Sequence, residues 1–209
     1  MTDKFSDYKY ENAELNDSHG YLLPALKSIL EKQITKGRIF ELGCGNGAIS
    51  NELTSMGFSV VGVDPSEQGI SQANQRYPAL ELKLGSAYDN LAEIHGHFPI
   101  VVSLEVVEHV YFPRKYASTV FNLLEPGGTA IISTPYHGYI KNLALAITGK
   151  LDDHFTALWD GGHIKFWSEK TISILLDEIG FKNIHFRRAG RGGGVIAKSM
   201  IAIAKKPES

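Results

Sequence analysis

Apolar residues recur along this chain at two spacings, and each change of spacing marks a boundary. Leu22, Leu23, Leu26, Ile29 and Leu30 lie three or four positions apart, which predicts a helix over residues 21–33 with Gly37 beyond its end. Residues 38–42 then read as a short strand, followed by a glycine-rich turn at 43–47 and a helix over 48–56. The unit repeats. Residues 59–64 form the next strand, and Pro65-Ser66 opens a helix through Arg76, with proline suited to a first helical turn. Strand 80–84, a helix over 87–94, the apolar run 100–104 and a helix over 113–124 follow. Pro126-Gly127-Gly128 breaks that helix, and residues 129–133 read as a fifth strand. Such alternation with apolar, β-branched strands predicts an α/β fold whose mainly parallel sheet is covered on both faces.

Between residues 136 and 167 the rhythm lapses into a segment rich in glycine, histidine and aromatics, longer than an ordinary connection between strand and helix. Inserts of that kind act as lids or caps. Ser168 caps a helix ending at Ile179, Gly180 stops it, and strands at 183–188 and 198–205 flank a glycine-rich hairpin. The apolar stretch 140–147 reads as lid packing, with contact to a lipid-like substrate or membrane surface as the alternative, and Arg187, Arg188 and Arg191 read as a solvated hairpin, with attraction of an anionic acceptor as the alternative.

A length of 209 residues with 43% hydrophobic content suits one core, so residues 1–209 are expected to form a single domain. The net charge of -2 supplies no field to draw in a phosphate backbone, so a small-molecule substrate is expected rather than nucleic acid. Cys44 is the only cysteine, which rules out an intrachain disulfide. Neither a signal-peptide pattern nor an apolar run of membrane-spanning length is present, so a cytoplasmic location without membrane insertion is expected.

Candidate chemistry collects at the ends of the first strands. Glu41-Leu42-Gly43-Cys44-Gly45-Asn46-Gly47 leaves the first strand as a loop without bulk at alternate positions, so its N–H groups can approach a ligand. Asp64 ends the second strand, where a carboxylate can accept bonds from two ribose hydroxyls. The glycines at 43, 45 and 47 depart from the dinucleotide spacing G-x-G-x-x-G, and the loop has no lysine to neutralise a pyrophosphate. Cys44 reads as a small filler in the loop rather than a nucleophile.

Taken in order, residues 41–47, 61–66, Gly85-Ser86-Ala87, 105–109 and Pro126-Gly127-Gly128 resemble the motifs of class I S-adenosylmethionine-dependent methyltransferases. The resemblance covers nearly the whole chain. It implies a three-layer Rossmann-like fold with a seven-stranded sheet containing one antiparallel strand. It also implies a cofactor site of Glu41, Gly43, Gly45, Asp64, Pro65, Ser86, Ala87 and Leu104, with the loop on the methionine part, Asp64 on the ribose, Pro65 on an adenine face, and Ser86 and Ala87 on its edge. Many relatives carry an acidic residue at the place of Ser86. The N-terminal segment with Tyr8, Tyr10 and Tyr21 is expected to close over the cofactor.

On the acceptor side, Glu105, Glu108 and His109 would share one face of a helical turn by their spacing. That triplet is similar to one in quinone-biosynthesis O-methyltransferases, where it lies by a divalent metal. The same pattern occurs in relatives with no assigned metal, so a metal-free site is preferred, with His109 as an acid/base or cofactor-positioning residue and His163 as a second acid/base candidate; the alternative is that Glu108 and His109 only brace the following helix. His137, His154 and the rings of Tyr136, Tyr139, Phe155, Trp159, Phe166 and Trp167 would wall the acceptor pocket. The expected function is O-methylation of a small molecule, with N-methylation, a non-catalytic cofactor-binding module and a nicotinamide-dependent oxidoreductase as alternatives.

Overall fold

The computed structural model describes residues 14–15, 18–31, 37–155, 157–159, 161–190, 194 and 197–208. Expectations placed on Tyr8, Tyr10, Gln33 and residues 191–193 lie outside them. In chain order the elements are α1 (His19–Leu30), β1 (Arg38–Leu42), α2 (Ala48–Ser55), β2 (Ser59–Asp64), α3 (Glu67–Arg76), β3 (Glu81–Leu84), α4 (Leu91–His95), β4 (Phe98–Leu104), α5 (Pro113–Leu123), β5 (Leu124–Pro135), α6 (Tyr139–Ile147), α7 (Leu151–Phe155), α8 (Glu169–Ile179), β6 (Lys182–Ala189) and β7 (Ser199–Lys205).

The seven strands form one sheet in the order β3-β2-β1-β4-β5-β7-β6, with β7 antiparallel to both neighbours and the other pairs parallel. This is the mixed sheet that the motifs implied. From β1 the chain winds outward to β2 and β3, then returns to place β4 on the other side of β1. The reversal opens a crevice at the carboxyl ends of β1 and β4, where ligands of such sheets bind.

Side-chain alternation builds the layers. In β1, Ile39 joins a core shared with α1 and α2, whereas Phe40 and Leu42 join the core under α4, α5 and α8. Leu22, Leu26 and Leu30 of α1 are fully covered, each worth about 1.5–3 kcal/mol of apolar burial. Helix α8 begins in a capping box in which Ser168 and Thr171 satisfy each other's backbone N–H groups, and ends at Gly180 in the left-handed conformation.

Four local expectations need correction. Ser66, not Pro65, ends the approach to α3: its hydroxyl accepts from Gly69 N at 3.0 Å as the N-cap, leaving Pro65 exposed outside the helix. The helix expected over 87–94 starts only at Leu91, because the Asp89 carboxylate accepts from Ser86 N at 2.7 Å and folds residues 86–89 into a turn. Strand β5 begins before Pro126, with Phe98 paired to Leu124 and a register shift before Thr129. Finally, Arg187 and Arg188 are anchored rather than solvated, donating to Ser28 Oγ at 2.8 Å and Glu169 Oε1 at 2.8 Å.

Candidate active site

The donor end is made mainly of backbone. Gly43 and Cys44 both donate to the Val63 carbonyl, at 2.8 and 3.0 Å, so the loop after β1 is stitched to the end of β2. Gly43 has φ +87°, and a Cβ there would stand 2.3 Å from Val106 Cγ2, so only glycine lets the loop and the turn after β4 meet. Asn46 Oδ1 accepts from Ala48 N at 3.2 Å, just ahead of α2 and its N-cap Gly47, and the Asn46 amide donates to the Glu14 carbonyl at 2.9 Å, bringing Glu14 against this loop.

Asp64 is buried at the end of β2. Its Oδ2 accepts from Gly45 N at 2.9 Å and its Oδ1 from Ser66 N at 2.8 Å, which leaves each oxygen another lone pair toward the crevice. Burial raises its proton affinity against the pull of those two N–H groups. Glu41 points the other way, into α2, where it accepts from the Ser50 hydroxyl. Burial pushes its carboxyl up to about 7 against that hydrogen bond, and the Asp64 charge adds to the rise. Cys44 is a buried filler: loss of solvent pushes its thiol well above the ordinary value, with the Glu41 and Asp64 carboxylates adding.

Pro65 is exposed beside Asp64, and Ser86 and Ala87 lie half-buried at the adjoining end of β3, held there by Gly85 N donating to the Asp64 carbonyl at 3.1 Å. Leu104 packs its side chain into the core under α1, so only its backbone reaches the end of β4. These features fit S-adenosylmethionine. A loop with no side chains at Gly43, Gly45 and Gly47 leaves room for the methionine part, and the Asp64 carboxylate retains acceptor capacity for a ribose. No basic side chain forms a pyrophosphate site in this loop.

The acceptor end departs from the expected helical face. Residues 105–109 form a turn, with Glu105 at φ +54°, a strained conformation for a non-glycine residue. Ser133 pins it: its hydroxyl donates to Glu105 Oε1 at 2.7 Å and accepts from Glu105 N at 3.0 Å. Ser199 adds a bond to Oε2 at 3.3 Å, so Glu105 faces β5 and β7 rather than sharing a face with His109. Burial pushes the Glu105 carboxyl up to about 7.

Glu108 goes elsewhere. It is fully buried beside the Thr134 hydroxyl, and among the described residues its oxygens have no other side-chain partner. Burial, with the Glu105 charge adding, raises its proton affinity well above the usual carboxylate range. Its backbone carbonyl accepts from Ile164 N and Lys165 N, both at 3.0 Å, while Trp167 Nε1 donates to the Val107 carbonyl at 3.1 Å. The end of the insert is thereby fastened to the turn, and His163 is delivered to His109 with ring centroids 4.9 Å apart. Trp159 lies edge-on to both imidazoles.

His109 Nδ1 lies 3.0 Å from the Gly161 carbonyl and 3.2 Å from that of Gly162. Carbonyls only accept, so Nδ1 carries the proton and Nε2 keeps its lone pair. Burial lowers the proton affinity of His109 against those two bonds, and lowers His163 to about 4 with the His109 and His154 charges adding. One ligand atom from each of Glu108, His109 and His163 lies within 4.8 Å of the others, close enough to hold a divalent ion. Ser133, Thr134, Lys141, Asn142 and Ser199 also line this end without belonging to any recognisable motif; only the pairing of β5 with β7 and the fold of the insert bring them here.

Among known proteins, the methyltransferase domain family matches residues 15–186. The chain is 39% identical to the ubiquinone biosynthesis O-methyltransferase of Caulobacter sp. over 116 residues, 54% of this chain and 46% of that one. It is 36% identical to the corresponding Rhizobium etli protein over 113 residues, 53% and 45% of the two chains. The chain spans about half the length of the curated relatives it matches. Among solved structures, a SAM-dependent methyltransferase from Methanosarcina mazei superposes with a TM-score of 0.65 at 25% identity, covering 87% of this chain and 98% of that one. A possible histamine N-methyltransferase from Thermotoga maritima shares the fold, with a TM-score of 0.63 at 16% identity over 88% of each chain. The chain belongs to the methyltransferase domain family.

Proposed function

We propose that the protein methylates a hydroxyl oxygen of a small-molecule acceptor. The observation that carries this reading is the tautomer of His109, a neutral imidazole whose Nδ1 is committed to two carbonyls and whose Nε2 lone pair remains to take a proton. A hydroxyl is a poor nucleophile until its proton is removed, and a positioned base contributes about 10²–10⁴-fold. The names of the curated relatives, which are O-methyltransferases, support the same acceptor atom.

When bound, S-adenosylmethionine supplies a methyl group already activated on a sulfonium. The chain's own task is alignment and proton removal. Gly43 and Gly45 leave room for the methionine part, Glu41 braces the loop from behind through Ser50, and Asp64 holds the ribose. Pro65, Ser86 and Ala87 frame the adenine, and the Leu104 backbone closes the strand end. His109 Nε2 receives the acceptor proton. His163, held neutral by burial, orients the acceptor hydroxyl. A divalent ion at Glu108, His109 and His163 would lower the proton affinity of the hydroxyl; the base chemistry of the imidazoles operates without it.

We read residues 1–209 as a single domain and residues 136–167 as its lid. The contact between Asn46 and Glu14 supports closure of the N-terminal segment over the donor. Family membership removes the ground for the nicotinamide-dependent alternative. The test is incubation with S-adenosylmethionine and hydroxylated aromatic acceptors, followed by mass spectrometry. A methyl ether is expected from wild type and not from His109→Ala; methylation confined to amines would overturn the reading.

A further inference from the structure

The groups that orient the base do not come from the element that carries it. His109 sits on the turn after β4, whereas the carbonyls that receive its Nδ1 proton belong to Gly161 and Gly162, 52 and 53 positions later in the insert. In a neutral imidazole, the hydrogen bond made by one nitrogen decides which of the two keeps its lone pair. The insert therefore decides which atom His109 presents to an acceptor.

The two carbonyls are themselves held by local geometry. Gly161 has φ +74°, and a Cβ there would meet nothing within 4 Å, so the position needs glycine for its backbone angle and not for space. Gly162 needs it for space. Its N–H donates to the Trp159 carbonyl at 3.0 Å, and a Cβ would stand 2.9 Å from that carbonyl oxygen and 3.0 Å from the Trp159 ring. The ring lies edge-on to the His109 imidazole at 5.9 Å, so Trp159 braces the glycine pair and the base together.

The rest of the insert is lightly held. No residue of α6 or α7 is buried, whereas residues 161–165 are fastened to the turn through His109 Nδ1 and through the Glu108 carbonyl, which accepts from Ile164 N and Lys165 N. Segments with little buried surface open at low free-energy cost, and closing segments commonly complete a catalytic constellation. Here, opening takes the orienting carbonyls away from the base.

We propose that Gly161 and Gly162, braced by Trp159, are the positioning residues of the base: their carbonyls fix the ring and the tautomer of His109, so that seating of the insert and readiness of the base are one event. This rests on the methyl-transfer reading and adds to it what makes the base competent.

The test reads the His109 ring by long-range ¹H–¹⁵N correlation in protein saturated with S-adenosylhomocysteine, beside kcat on the hydroxylated aromatic that wild type methylates. Wild type is expected to carry the proton on Nδ1. Gly161→Val places its Cβ in open space but resists a positive φ. It should move the proton toward Nε2 and lower kcat at least about ten-fold, with affinity for S-adenosylhomocysteine unchanged; loss of an imidazole's orienting partner costs up to about 10⁴-fold. Gly161→Asn, which tolerates the angle, should recover most of both losses. Gly162→Ala, which collides with Trp159, should behave as the valine variant does. A proton that stays on Nδ1 at wild-type kcat in both Gly161→Val and Gly162→Ala would overturn the positioning role and leave the methyl-transfer reading standing. So would a fall in S-adenosylhomocysteine affinity that matches the fall in kcat, because the glycines would then serve the fold. A proton on Nε2 in wild type would overturn both.

Discussion

The two halves of the crevice are built on opposite plans. At the donor end, the Asp64 carboxylate and the Asn46 amide all meet partners within the chain, and the ligand is to be held largely by backbone. At the acceptor end the buried Glu108 carboxyl adjoins the Thr134 hydroxyl and the His137 ring adjoins the Asn142 amide, side chain against side chain, and among the described residues His154 Nε2 has no hydrogen-bond partner. The first half is finished before its ligand arrives and needs no rearrangement to receive it. The second is lined by side chains, so its selection among acceptors is set by their chemistry rather than by the backbone.

The contrast is broken first at the acceptor end, where the largest effect is expected. His109→Ala should lower kcat about 10²–10⁴-fold while leaving affinity for S-adenosylmethionine unchanged by calorimetry; equal turnover in the variant would take the imidazole out of the chemistry. At the donor end the expected pattern is reversed. Gly43→Ala forces a Cβ onto Val106 at a positive φ, and should weaken donor binding about 100-fold, the equivalent of about 3 kcal/mol of strain and overpacking. Unchanged affinity would mean that the loop yields freely. Asp64→Ala should cost about 1–3 kcal/mol of donor affinity with a smaller effect on kcat at saturation; a variant that binds as wild type would remove the carboxylate from the ribose.

Acidity gives a smaller effect of defined sign. Burial lowers His163 to about 4 and holds His109 below its ordinary value, so both stay in the neutral, proton-accepting form as pH falls through the usual histidine range. The histidine limb of the kcat profile should therefore lie on the acidic side of the ordinary histidine value rather than at it. A midpoint at the ordinary histidine value would show that the imidazoles are solvated during turnover. Smallest of all is the expected response to metal removal: dialysis against a chelator should leave turnover unchanged, whereas loss restored by a divalent ion would make metal ligands of Glu108, His109 and His163.

The same asymmetry explains what was legible in the sequence. Strands β1 and β2 lie where their apolar runs placed them, and Gly43, Gly45 and Asp64 come together because a loop and a strand end are local features. At the acceptor end, spacing alone misled. A helical reading of residues 105–109 puts Glu105 beside His109, but Ser133 and Ser199, distant in the chain, draw it into a left-handed turn and toward the other side. Helix α6 reversed another inference: its apolar residues suggest packing, yet none of them is buried, and the informative positions are Lys141 and Asn142 between them. The turn at residues 86–89 escaped because the Asp89 carboxylate competes with helix formation over a span too short to show in periodicity.

A crystal structure with S-adenosylhomocysteine tests the central claim most directly. It should show the ribose hydroxyls on the Asp64 carboxylate, the amino-acid part against Gly43 and Gly45, and the sulfur directed toward His109 and His163. A nucleoside bound away from Asp64, or a sulfur turned from the two imidazoles, would contradict it.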